Sequence, residues 1–250
     1  MKPTTIAIAN HKGGVGKTTT TIAIGAGLAR KGYRVLLVDT DAQANLTDSL
    51  NILDTDNNAY AIMTGTQNCK PVEVETNLHV IPAVLDLAGV EADLIQVAGK
   101  EFLLRDALAQ VKEQYDFILI DTAPSLGLLT MNAFAAADSV IIPMQAEYLA
   151  LKGIAKLTEV MAAAQAQTNP NLHVSGVILT RYDNRIILNR QVMAEVRNQF
   201  GNAVLPPVRS NIALAEAPAT GMHIYQYAPD STGAKDYTAI VEALLDIIHK

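Results

Sequence analysis

Residues 5–30 place three segments in line: an apolar run, Thr5-Ile6-Ala7-Ile8-Ala9; a glycine-rich stretch from Asn10 to Gly16; and Lys17-Thr18-Thr19, which opens a small-residue segment running to Arg30. A buried strand, a tight glycine loop and a helix in immediate succession fit a narrow set of architectures, those that hold a phosphate at the end of a sheet. The glycines let successive backbone N–H groups converge on phosphate oxygens. The helix N-terminus adds its partial positive charge. On this reading Gly13, Gly14, Val15, Gly16, Lys17, Thr18 and Thr19 form the nucleotide-binding loop. Lys17 reaches the β- and γ-phosphates and the Thr18 hydroxyl faces Mg²⁺.

The strand pattern repeats down the chain. Tyr33–Val38 is an apolar run ending in Asp39-Thr40-Asp41-Ala42-Gln43, and Phe117–Ile120 one ending in Asp121-Thr122-Ala123-Pro124. Shorter runs at Leu78–Pro82, Ser139–Pro143 and Val174–Thr180 also read as strands. Helices are expected over Leu85–Leu94, Lys100–Glu113, Leu126–Ala136 and Gly233–Lys250. The alternation predicts an α/β fold: a doubly wound, mostly parallel twisted sheet with helices on both faces, in one domain over residues 1–250. Carboxylates at the C-terminal ends of such strands lie where these sheets place ligands. Asp121 is positioned by this logic to hold a Mg²⁺-bound water beside Thr18. Residues 46–75 yield no assignment beyond a polar turn at Asp54–Asn58.

Composition excludes several classes. With 250 residues, half of them hydrophobic and no Trp, the chain can build a large core from Ala, Val, Ile and Leu. The single cysteine, Cys69, permits no internal disulfide, and the five histidines lack metal-ligand spacing. No apolar run approaches the roughly 20 residues of a membrane span, and with strand one beginning at once no leader peptide is expected. The net charge of −6 gives no overall attraction to nucleic acid. The sign reverses locally: residues 181–209 hold five arginines (181, 185, 190, 197 and 209) against Asp183 and Glu195. Leu188, Val192, Val196 and Phe200 recur every four residues as the expected buried stripe of a helix. That places Arg190 and Arg197 on its solvent side, with Arg185 just before it. Such a face is either a solvated surface or a phosphate-contacting patch.

The loop carries His11 where the usual G-x-x-x-x-G-K-[ST] pattern has glycine, and a second lysine, Lys12, before Gly13-Gly14. K-G-G-x-G-K-[ST] resembles the deviant Walker A of the ParA/MinD/Soj ATPases. Asp39-Thr40-Asp41-Ala42-Gln43 resembles the family's switch I, Asp121–Ser125 its switch II, and Pro143–Gly153 its P-x-x-x-E-x-x-A-L-x-G segment near a dimer interface. The resemblance implies ATP and Mg²⁺ as cofactors and a homodimer in the ATP state. Lys12 would cross to the partner's phosphates. Lys12, Lys17 and Asp41 would be catalytic, with Asp41 orienting the attacking water. Thr18, Asp39 and Asp121 would be the metal set, Asp39 through water.

The resemblance also implies an adenine pocket at 206–211, with Pro207, Arg209 and Asn211 contacting nucleotide and Thr180 and Arg181 nearby. DNA binding without sequence preference would use Arg185, Arg190, Arg197 and Arg209. Ala213 stands where many relatives are basic, with Arg209 nearby to compensate. The family role implied is partition or positioning of plasmid or chromosome DNA in the cytoplasm, on the nucleoid, with a ParB-like adaptor stimulating hydrolysis. Alternatives within the same fold are positioning of a protein cargo, or a MinD-like membrane-associated regulator. The C-terminal helix carries Glu242 and Asp246 rather than a basic amphipathic tail, so no membrane partner is expected. Metabolic ligases such as dethiobiotin synthetase share the fold but not Lys12-Gly13-Gly14. The lone cysteine argues against the nitrogenase iron-protein branch. With strand one beginning at once, a preceding helix-turn-helix for operator binding is not expected.

Overall fold

The computed structural model describes residues 2–147 and 150–249, without the side chains of 150–153. Among these, seven strands form one sheet in the order β3-β4-β2-β5-β1-β6-β7. They are β1 (Thr4–Ile8), β2 (Val35–Asp39), β3 (Val72–Glu75), β4 (Leu78–Ile81), β5 (Phe117–Asp121), β6 (Ser139–Gln145) and β7 (His173–Thr180). All neighbours pair in parallel except β3, an antiparallel edge strand returning beside β4. β3 falls in the stretch that no sequence pattern assigns. Its Val72-Glu73-Val74-Glu75 alternation is only partly buried, so it carries little hydrophobic signal.

Strand side chains alternate between two cores. Ile6, Ile8, Val35, Leu37, Phe117 and Leu119 face α1 (Lys17–Arg30) and α11 (Thr232–Ile248). Ala7, Ala9, Leu36, Val38, Ile118 and Ile120 face the opposite layer. That layer includes α6 (Leu128–Ala136), α7 (Ala150–Gln167) and α8 (Ile187–Phe200). Apolar strands buried on both faces are what a parallel sheet requires, and the doubly wound expectation holds. α1 is the central element of its layer, and its small residues let it lie close to the sheet. A Cβ at Gly25 would come within 2.5 Å of Leu37 Cδ2, and one at Gly27 within 2.8 Å of Tyr225 Oη.

Two expected helices are broken. Leu85–Gly89 is a 3₁₀ turn that hands over to a short α4 (Val90–Asp93). Lys100–Glu113 is not one helix but a 3₁₀ turn (Lys100–Phe102), α5 (Leu103–Leu108) and a second 3₁₀ turn (Lys112–Gln114). Asn132 of α6 causes the first break. Its Oδ1 accepts from Leu104 N at 3.0 Å and its Nδ2 donates to Lys100 O at 2.8 Å, so it replaces the backbone bond a continuous helix would make there.

Candidate nucleotide site

The loop between β1 and α1 lines a cavity of about 680 Å³ at the C-terminal edge of the sheet. Its shape is fixed from three sides. Asn10 Nδ2 donates to Pro143 O at 2.8 Å, Gln145 Nε2 to Gly14 O at 2.9 Å, and the Thr180 hydroxyl to Val15 O at 2.9 Å. Gly14 and Gly16 have φ of 70° and 92°, which favours glycine at both positions. A Cβ added at Gly13 or Gly14 would meet nothing within 4 Å, so both open toward free space. The loop is therefore a cradle of backbone amides without side chains in the way, and it fits a polyphosphate.

Lys17 is 7% exposed, and its ammonium donates to Lys12 O at 3.3 Å. Burial pulls its pKa below the ordinary lysine value, and the nearby Asp121 and Asp41 carboxylates oppose that shift. The Thr18 hydroxyl donates to Asp121 Oδ2 at 2.6 Å, and Thr21 Oγ1 to Asp121 Oδ1 at 3.2 Å. Asp121 is fully buried, and desolvation together with the Asp39 charge beside it pushes its carboxyl well above the usual carboxylate range. Buried carboxylate oxygens next to a threonine hydroxyl and a lysine suit a hard divalent cation such as Mg²⁺. Thr18 and Asp121 therefore meet as expected.

Asp39 is placed differently. It is fully buried, is absent from the cavity wall, and directs both oxygens at its own chain. Oδ2 accepts from Thr47 N at 3.0 Å and Thr47 Oγ1 at 2.8 Å, and Oδ1 from Asp41 N at 3.1 Å. Burial raises its pKa above the ordinary aspartate value. Asp41 does line the cavity, with Gln43 and Asn45 beside it, and its Oδ1 accepts from Gln43 N at 3.0 Å.

The far wall comes from residues 208–212, anchored at Val208 and Arg209 beside the end of β7. Val208 N donates to Leu179 O at 2.8 Å and Tyr182 N to Val208 O at 2.9 Å. Thr180, Arg181, Arg209 and Asn211 line the cavity, whereas Pro207 does not and Val208 takes its place. Ser210, within the expected 206–211 pocket, also lines it, as do Ile212, Leu214 and Tyr237, which no site expectation named. Arg209 is turned to Asp236, with Nη2 to Oδ1 at 2.6 Å, and so belongs to the cavity wall rather than to the arginine face of α8.

Lys12 lies at the rim and does not line the cavity. Its ammonium pairs with Glu147, which belongs to the 143–153 segment. Tyr148 and Leu149 of that segment lie outside the described residues. On α8, Arg190 and Arg197 are exposed, as the spacing predicts, and neither has a carboxylate partner among the described residues. Arg185 is held by Asp183, Nη2 to Oδ2 at 2.7 Å, which offsets its charge. Leu188 is 37% exposed and not part of the buried stripe; Asn189, Val192, Met193 and Val196 form it. Buried Asn189 accepts from Asp183 N and donates to Ala146 O, and these bonds set the rotation of the first turn.

Residues 3–174 match a family model described as an AAA domain. The sporulation initiation inhibitor protein Soj of Bacillus subtilis is 46% identical over 239 residues, 93% of this chain and 94% of that one. The chain belongs to the ParA/Soj family of ATPases. The chromosome partitioning protein ParA of Myxococcus xanthus is 42% identical, covering 96% of this chain and 87% of its own length. Among solved structures, a cobyrinic acid a,c-diamide synthase from Mycobacterium smegmatis with bound ADP and magnesium superposes with a TM-score of 0.85 at 36% identity, covering 99% and 96% of the two chains. A putative plasmid partition protein from Borrelia burgdorferi bound to AMPPNP gives 0.84 at 28% identity, covering 99% of each. As a member of the ParA/Soj family the chain uses ATP and Mg²⁺, in keeping with the amide cradle, Lys17, Thr18 and Asp121. Among the described residues no helix is long and apolar enough to cross a membrane.

Proposed function

We propose that this ParA/Soj ATPase partitions DNA by a cycle in which ATP joins two copies of the chain and the joined pair holds DNA without sequence preference. The observation that carries the reading is the separation of the two loop lysines. Lys17 is buried at the cavity, while Lys12 stands at the rim, paired to Glu147 and available to a second copy. In the cycle the loop amides and Lys17 bind the phosphates. Lys12 leaves Glu147 for the phosphates of the partner copy. Bound Mg²⁺, held by Thr18 and Asp121, supplies charge neutralisation. Asp41 orients the attacking water. The cavity wall at Arg209 and Asn211 takes the base. Loss of the γ-phosphate removes the anion that held Lys12, and the pair separates.

The Lys12 separation argues for a nucleotide shared between copies; the DNA reading rests on the two arginines of α8. Arg190 and Arg197 are exposed and neither pairs with a carboxylate among the described residues, in a chain of net charge −6, and pairing two copies doubles their number. Arg185 and Arg209 carry less weight because each is paired to an aspartate. Hydrolysis is stimulated by a ParB-like adaptor, and the protein acts in the cytoplasm on the nucleoid.

The test is co-sedimentation with random-sequence DNA in ATP and in ADP across a salt series. Binding in ATP alone, falling steeply with salt, is expected. Arg190→Ala with Arg197→Ala should weaken it and flatten the salt slope by about 1 for each phosphate no longer neutralised. Equal binding in both nucleotides, or no effect of the two substitutions, contradicts the reading.

A further inference from the structure

Asp39 ends β2, and seven residues separate it from Thr47 on α2 (Asn45–Ser49). Between them lies the segment that carries Asp41 to the cavity. Three donors converge on the Asp39 carboxylate: Thr47 N, Thr47 Oγ1 and Asp41 N. The Thr47 hydroxyl is used twice, because it also accepts from Ala83 N at 2.9 Å, just beyond β4. Both residues are buried, Asp39 at 0% and Thr47 at 2% exposure. The loop is closed at other points too. Thr40 N and Thr40 Oγ1 donate to Asp121 O at 3.0 and 2.7 Å, and Ala44, at φ 52°, donates its N–H to Asp41 O at 2.8 Å. A left-handed alanine is a strained conformation that the surrounding bonds must hold in place.

We infer that Thr47 and Asp39 form a positioning pair that clamps the 40–46 loop so that Asp41 faces the cavity, and that Asp39 acts through this clamp rather than on the metal shell. The inference rests on the reading of Asp41 as the residue that orients water. Both Asp39 oxygens are filled by chain donors, and the carboxylate lies behind the cavity wall. Thr47 touches no part of the cavity, so its effect reaches the chemistry through Asp39 and the placement of Asp41.

The experiment compares single-turnover ATP hydrolysis and binding of a fluorescent ATP analogue in the full chain, Thr47→Val, Thr47→Ser and Asp41→Ala. Valine keeps the shape and removes the hydroxyl. The Thr47→Val rate should fall by about 10- to 100-fold with analogue affinity within about twofold of wild type, because the phosphate loop is untouched. Thr47→Ser should recover the rate to within about threefold, since it restores the hydroxyl. A Thr47→Val rate within about threefold of wild type, with Asp41→Ala inactive, overturns the clamp alone. An Asp41→Ala protein that hydrolyses at the wild-type rate overturns the reading of Asp41 and the clamp's purpose with it. Should Thr47→Val not fold, hydrogen exchange on the wild-type chain decides. Amides of Asp41 and Thr47 protected like those of β2 support the clamp, and exchange at the rate of an exposed loop overturns it.

Discussion

Lys12 and Lys17 are five residues apart in one loop, and their surroundings make them different reagents. Lys17 is desolvated, lines the cavity and has the Asp121 and Asp41 carboxylates near it, so it is built to meet an anion in its own cavity. Lys12 is exposed and its partner, Glu147, lies on another strand's exit. Lys17→Ala should therefore abolish ATP binding measured by calorimetry, with folding retained; near-normal affinity would remove the loop from its assigned role. Lys17, Thr18 and Asp121 are legible in the sequence because loop spacing and strand ends fix them. Asp39 is legible as a strand-end carboxylate, but the donors that surround it are not. Thr47 is an ordinary threonine in a stretch without motif, and only the fold brings it under Asp39. Arg185 shows the same limit: its spacing suggests an open cation, and Asp183, two residues earlier, pairs with it.

The elements are legible in proportion to how far their own side chains decide them. The central strands β1, β2 and β5 are buried and largely apolar, so they can be read within a residue or two at each end. α8 shows itself in Val192 and Val196, four residues apart and both buried. The break in Lys100–Glu113 does not, because Asn132 from a distant helix intercepts the backbone of Lys100 and Leu104. The same dependence on neighbours makes α1 sensitive to volume. Gly25 lies against Leu37 and Leu119 of the sheet, with no room for a side chain. Gly25→Val should cost about 1–3 kcal/mol of stability through overpacking, with a matching fall in the midpoint of urea denaturation. An unchanged midpoint would mean that α1 does not pack directly on β2 and β5.

Across the protein as one body, two core layers position one edge of the sheet, and every functional feature gathers there: the phosphate loop from β1, Asp41 after β2, Asp121 at the end of β5, and Gln145 and Thr180 from β6 and β7. Lys12 stands at the rim of this edge, and the arginine face of α8 adjoins it through the Asn189–Ala146 bond. A nucleotide shared between two copies would thus join assembly, DNA affinity and hydrolysis in one place. Light scattering decides whether it is shared: it reads the mass in solution of the Asp41→Ala chain in ATP and Mg²⁺, with and without Lys12→Ala. Twice 26.7 kDa is expected for Asp41→Ala, and 26.7 kDa once Lys12 is removed. A doubled mass that survives Lys12→Ala would refute the shared nucleotide and place the assembly surface elsewhere.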